Sequence, residues 1–111
     1  MGADTDVLDL TDQNFENFVR NNALVLVDFW APWCMPCRMQ ARILEAGVGD
    51  MPEGLRIVKV NVDDNVQTAR RFNVRGIPQM FLFVNGHSVR GWTGVTPAEA
   101  IIEEVRKHLT A

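Results

Sequence analysis

The longest apolar stretch of the chain, Leu24 to Trp30, carries hydrophobic side chains on both faces. Leu24, Leu26 and Trp30 point one way, and Val25, Val27 and Phe29 the other. A strand that is apolar on both faces belongs inside a sheet covered on both sides. Its one polar residue, Asp28, shares a face with Leu26 and Trp30, so the pattern puts the carboxyl in the interior; the alternative is an edge position from which Asp28 reaches water. Upstream, Asp6 to Asp9 gives a weak strand signal. Thr11 reads as a helix N-cap, with Leu10 and Phe15 as a hydrophobic staple, and Phe15, Phe18 and Val19 form one helical face that Asn21-Asn22 ends.

After the strand the period changes. Cys34 to about Gly47 reads as a second helix, with Met39, Ile43, Leu44 and Ala46 near one face and Gly47 as its stop. A turn over Met51 to Gly54 precedes a strand from Leu55 to Val62. There Leu55, Ile57, Lys59 and Asn61 lie on one side and Val58, Val60 and Val62 on the other, with Lys59 snorkelling to the surface. Val66 to Phe72 is a short helix with Asp64 or Asn65 as its cap, and Arg75-Gly76-Ile77-Pro78 breaks the pattern. Gln79 to Val84 and Ser88 to Trp92 are strands joined at Asn85-Gly86, a dipeptide suited to the tight turn of a hairpin. Thr96-Pro97-Ala98-Glu99 reads as a capping box opening a last helix, whose apolar face is Ile101, Ile102, Val105 and Leu109.

The resulting order, β-α-β-α-β-α-β-β-α, alternates where right-handed parallel crossovers are favoured and closes on an antiparallel hairpin. It predicts an α/β fold with a mixed sheet and helices on both faces. A chain of 111 residues suits one domain over 1–111, and a net charge of −3 gives no electrostatic case for nucleic-acid binding. Met1 to Asp6 is acidic and lacks the apolar core of a signal peptide, Asp6 spoils a myristoylation pattern, and no run is long enough to span a membrane. A cytoplasmic setting is the default expectation.

The candidate chemistry lies just after the apolar strand. Cys34 and Cys37 are the only cysteines, and a spacing of three puts them on one face of a helix. A disulfide closing so small a ring constrains little unfolded chain and is a poor staple, so a cycling dithiol is the better use. Cys34 falls where strand gives way to helix, and the free N–H groups and dipole of a helix N-terminus stabilise a thiolate. Pro36 is tolerated in a first helical turn, and Cys37 falls deeper. The rival is zinc, which needs four ligands; besides the thiols only His87 and His108 remain.

Trp33-Cys34-Met35-Pro36-Cys37 after Val27-Asp28-Phe29-Trp30-Ala31, followed downstream by Gly76-Ile77-Pro78, resembles the thioredoxin family. The resemblance spans about Asp6 to Leu109 and implies the thioredoxin fold, a mixed five-stranded sheet flanked by four helices. It also implies roles. Cys34 corresponds to the exposed attacking cysteine, Cys37 to the resolving one, Asp28 to the buried acid that exchanges a proton with the resolving thiol, and Lys59 to the lysine beside that acid. Ile77-Pro78 corresponds to a cis-proline segment that pairs with an extended substrate. Trp33, Gly76, Thr93 and Gly94 correspond to the rim that contacts targets, and Met35-Pro36 occupies the spacer. Three departures stand out: Met35 replaces the usual glycine, Arg38 the usual lysine, and Arg42 stands where the family commonly has a kinking proline, which predicts a straighter helix.

The implied activity is reduction of protein disulfides by dithiol–disulfide exchange, with no cofactor in this chain. The implied partners are disulfide-containing target proteins and a separate flavin- and NADPH-dependent reductase, and a monomer is expected. Oxidase or isomerase work is a second reading, although a polar or His spacer and a secretory signal are both missing. A module that only binds partners through the apolar rim is a third; such a role would survive replacement of both cysteines by serine.

Overall fold

The computed structural model describes residues 7–109. The elements are β1 (Leu8–Asp9), α1 (Phe15–Arg20), β2 (Leu24–Trp30), α2 (Met35–Gly47), a 3-10 turn (Val48–Asp50), β3 (Leu55–Asn61), α3 (Val66–Arg71), β4 (Gln79–Val84), β5 (His87–Thr93) and α4 (Ala98–Arg106). The strands form one mixed sheet in the order β1-β3-β2-β4-β5. β1, β3 and β2 are parallel, and β4 and β5 add antiparallel. β2 is central, as its two apolar faces predict. Of the first-strand expectation, Leu8 and Asp9 form β1, and Asp6 lies outside the described residues.

The two faces of β2 seed two separate cores. Val25, Val27 and Phe29 pack with Val58 and Val60 of β3, Phe83 of β4, and Phe15 and Val19 of α1. Phe15, Phe72, Phe81 and Phe83 fill this side with tilted and edge-to-face ring pairs, Phe15 to Phe83 having centroids 5.7 Å apart. On the other face Leu24 and Leu26 pack with Leu55, Ile57, Met80, Leu82 and Trp92, beneath Leu44 of α2 and Ile101 and Val105 of α4. The Asn85-Gly86 turn has φ of 50° and 85°, the paired left-handed conformation that a two-residue hairpin requires.

Several helix boundaries differ from the pattern. Thr11 does not cap α1: residues 12–14 form a turn, the helix starts at Phe15, and the Thr11 carbonyl accepts from the Asn14 and Phe15 N–H groups. Leu10 and Phe15 are nonetheless both buried in one cluster. No capping box forms at Thr96, whose hydroxyl donates to the Gly94 carbonyl at 3.0 Å instead. Gly47 ends α2 with φ of −93°, not the left-handed conformation of a glycine stop. It is needed for space: a Cβ there would lie 2.7 Å from the Ala98 Cβ, so glycine lets α2 and α4 approach. Leu109 lies beyond α4 and is exposed.

The inward face of α2 also differs. Cys37, Gln40, Leu44 and Gly47 are buried, whereas Met39 and Ala46 are exposed and Ile43 is half-buried. The helix runs unbroken through Arg42. Among the described residues no helix is long and apolar enough to cross a membrane.

Candidate active site

The strand β2 delivers the chain to the top of the sheet, and residues 31–34 turn it into α2. Cys34 is the N-cap, extended at φ −89° and ψ 107°, and its sulfur accepts from the Cys37 N–H at 3.2 Å. Met35 and Pro36 open the helix, where missing or unpartnered N–H groups cost nothing. The N-cap position that usually holds a Ser or Asp oxygen is therefore held by sulfur, with the positive end of the helix dipole aimed at it. Cys34 and Cys37 are joined as a disulfide, with Cα atoms 5.2 Å apart.

Both half-cystines pack into a small cluster with Ala31, Trp30, Val62 and Ile77. Their exposures are 4% and 3%, so in the disulfide form Cys34 is not the exposed member of the pair that the resemblance implies. The aromatic and apolar residues around the turn cover it. Trp33 and Met35 are the exposed surface there, at 67% and 66%. Trp33 is held by its indole N–H, which donates to Asp63 Oδ2 at 2.9 Å, a contact the pattern of residues did not single out.

Across from the cysteines runs the segment before β4. The Ile77–Pro78 peptide bond is cis, as the resemblance implies, and the Ile77 carbonyl oxygen lies 3.8 Å from Cys34 Sγ. The Pro78 carbonyl accepts from the Gly94 N–H at 2.9 Å, which brings the end of β5 alongside. Gly94 has φ of 86°, so a side chain there would be strained. Thr93 donates through its hydroxyl to Gln79 Oε1 at 2.7 Å. Gly76 is exposed and has open space where a Cβ would stand. Trp33, Met35, Pro36, Gly76, Ile77, Thr93 and Gly94 thus all have accessible surface, while Pro78 is buried beneath them.

Asp28 is on the opposite side of the β2 ribbon from Phe29, inside the second core. It is 5% exposed, as the alternation predicts, and the edge alternative is excluded by the central place of β2. The sheet register puts Asp9, Lys59, Asp28, Met80 and Trp92 in one row across the five strands. Asp28 therefore sits between an apolar thioether and a lysine. Among the described residues no donor reaches its Oδ1. Burial pushes its carboxyl up from 3.8 to about 7, and the nearby Lys59 charge opposes the rise without cancelling it. Lys59 Nζ lies 4.5 Å from the centre of the Trp30 ring and 3.9 Å from Asp9 Oδ1, its stem covering the core edge as expected. A largely apolar cavity of about 350 Å³, lined by Val7, Asp28, Ala41, Leu44, Glu45, Val48, Ile57 and Lys59, opens beside the carboxyl.

Two further polar residues organise the surroundings. Asp12 accepts from the Thr68 N–H at 2.8 Å and the Thr68 hydroxyl at 2.6 Å, so it caps α3 from a distant turn; Asn65 adjoins that helix but makes no side-chain cap. Gln40 is fully buried on the inward face of α2 and bonds both backbone groups of Thr96. Its place three residues after Cys37 on the buried face was the only available signal.

The thioredoxin family model matches residues 6–107. The thioredoxin of Bacillus subtilis is 42% identical over 103 residues, covering 93% of this chain and 98% of that protein. That of Haemophilus influenzae is 39% identical over 106 residues, covering 95% and 99%. Among solved structures, a mutant thioredoxin from Halobacterium salinarum superposes with a TM-score of 0.86 at 25% identity, covering all of this chain and 97% of the other. A chain from work on thiol resolution in yeast mitochondrial 1-Cys peroxiredoxin via glutathione/thioredoxin systems superposes with a TM-score of 0.82 at 26% identity, covering 93% and 96%.

Proposed function

The chain belongs to the thioredoxin family and reduces disulfides by dithiol–disulfide exchange at its Cys-x-x-Cys pair, and on that premise we propose how its residues divide the work. Cys34 is the attacking thiol. In the reduced protein its thiolate attacks one sulfur of a target disulfide, forming a Cys34–target mixed disulfide and expelling the other target sulfur as a thiolate. Asp28, as carboxylate, takes the proton of Cys37. The Cys37 thiolate then attacks Cys34 Sγ, closing the Cys34–Cys37 disulfide and releasing the second target sulfur. Two electrons pass from the dithiol to the target.

The observation that carries the assignment is the N-cap geometry. The Cys37 N–H points at Cys34 Sγ, and the helix dipole adds to it, so negative charge on Cys34 is stabilised where the helix begins. Asp28 suits a base because its carboxyl titrates near 7, close to the pH at which the reaction must run. Lys59, its cross-strand neighbour, holds that value below where burial alone would put it.

The rim of Trp33, Met35, Pro36, Gly76, Ile77, Pro78, Thr93 and Gly94 receives an extended segment of the target, whose backbone pairs with Ile77. The targets are disulfide-containing proteins, and a peroxiredoxin whose thiol is resolved via a thioredoxin system is one class that the structural neighbour supports. A flavin- and NADPH-dependent reductase returns the dithiol. One domain acting as a monomer in a reducing cytoplasm suffices for this cycle.

Trapping tests the division of labour. Cys37→Ser should accumulate a mixed disulfide with a protein target through Cys34, and Cys34→Ser should accumulate none. Brief alkylation of the reduced protein at neutral pH should label Cys34 before Cys37. The reverse order, or trapping through Cys37, would overturn the assignment.

A further inference from the structure

From the hydrogen bonds around the rim we infer that Gln40 is a positioning residue for target recognition, holding the 93–96 segment in place relative to the thiols. The inference rests on the reading of Thr93 and Gly94 as part of the target-binding rim.

Gln40 lies one helical turn beyond Cys37, on the same buried face of α2. It has no exposed surface. Its Nε2 donates to the Thr96 carbonyl at 3.0 Å, and the Thr96 N–H donates to its Oε1 at 2.7 Å. One side-chain amide thus satisfies both backbone groups of one residue, as a neighbouring strand would. The loop is held from its other end as well. Thr96 Oγ1 donates to the Gly94 carbonyl at 3.0 Å, and the Gly94 N–H donates to the Pro78 carbonyl at 2.9 Å. Ile77, next to Pro78, carries the carbonyl oxygen 3.8 Å from Cys34 Sγ.

These contacts close a ring. It runs from Cys34 to Cys37 through the disulfide, along α2 to Gln40, across to Thr96, back through Gly94 to Pro78, and so to Ile77 beside the sulfur. Within it Val95 is 41% exposed, an apolar side chain carried at the tip of a loop braced on both sides. The Gln40 side-chain amide is spent on Thr96, at Nε2 and at Oε1. Removing its amide leaves the Thr96 N–H and carbonyl buried and unpaired, and the loop must shift to find water. A target that needs the rim would then meet a less ordered surface, while a small disulfide that needs only Cys34 would not.

The test uses the full chain, fully reduced, mixed with excess insulin in single-turnover measurements that read the half-saturating concentration and the plateau rate separately. The same proteins are mixed with dithiobis(nitrobenzoate), a small aromatic disulfide. Gln40→Met keeps length and volume but offers no amide. It should raise the half-saturating insulin concentration by about five-fold, with the plateau rate and the small-disulfide rate within about two-fold of the parent. The Thr96 amide should lose protection from hydrogen exchange. Gln40→Glu keeps the acceptor for the Thr96 N–H and should fall between the two, which also covers failure of the Met variant to fold. Unchanged insulin saturation in these variants, or equal slowing on both substrates, would overturn the inference. Thr93→Asp separates this from the underlying reading. If it leaves insulin saturation unchanged, the rim assignment itself fails; if it weakens saturation while Gln40→Met does not, only the role of Gln40 fails.

Discussion

Replacing Asp28 by asparagine tests the buried carboxyl through stability as well as rate. In the unfolded chain Asp28 ionises near 3.8, and in the native protein near 7. Between those values the native state holds a proton that the unfolded state has lost, so stability falls as pH rises, and the loss is complete once pH passes the native value. At 1.36 kcal/mol per pH unit, the ionised carboxylate destabilises the fold by up to about 4 kcal/mol above pH 7. An asparagine in its place would be neutral at every pH. It would resemble protonated Asp28 in size and polarity, so the two proteins should have nearly equal stability at pH 4. The lowered carboxyls of Asp12, Glu16 and Glu104 lose their contributions as pH falls, but they are common to both proteins and drop out of the difference.

The assay is urea unfolding of the disulfide form from pH 4 to pH 9. The advantage of Asp28→Asn should grow across that range to about 2–4 kcal/mol, with unchanged slope against urea. Closing of the disulfide from a mixed intermediate should slow in the same variant, because Cys37 has lost its proton acceptor. Parallel stability curves for the two proteins would refute the account of a desolvated carboxyl. A growing advantage with no effect on rate would leave Asp28 buried but remove it from the proton transfer.

Met35→Gly should slow reduction of protein disulfides several-fold with little change on a small aromatic disulfide, since Met35 offers exposed, adaptable apolar surface beside the attacking sulfur; paired rates on the two substrates check this. Gly47→Ala should lower stability by about 1–3 kcal/mol although alanine is the better helix former, because the new Cβ meets Ala98; adding Ala98→Gly should recover most of the loss in urea unfolding. Asp12→Ala should shift the urea midpoint down and speed exchange of the Thr68 amide, since the start of α3 loses its acceptor.

Where side-chain period and local turn chemistry carry the information, sequence and structure agree closely. β2 has its predicted bounds, its two faces enter two cores, and the Asn85-Gly86 hairpin forms where a turn with two positive φ values can form. The two threonine caps fail for different reasons. After Thr11 a turn over residues 12–14 delays the helix to Phe15, so the threonine does not stand at its start, whereas Thr96 is committed to Gln40 and Gly94. A capping motif fails to mark a helix start where its hydroxyl has another partner, as at Thr96, or where a turn intervenes, as after Thr11.

The inward face of α2 shows the limit of counting apolar letters. Met39, Ile43, Leu44 and Ala46 suggest one face, yet burial follows Cys37, Gln40, Leu44 and Gly47, spaced by three, four and three. That stripe is set at one end by a disulfide that must face Ile77 and at the other by a glycine that must touch Ala98. With both ends fixed, residue 40 is carried into the interior whatever its polarity. Glutamine is tolerable there because Thr96, 56 residues later, presents a backbone N–H and carbonyl at matching distance. Asp12 and Thr68 repeat the arrangement at the same separation on the other side of the sheet. In each case the polar residue has meaning only once its partner has been brought to it by the fold. Such pairs escape a one-dimensional reading for that reason, and they brace the segments around a site whose cysteines are legible from spacing alone.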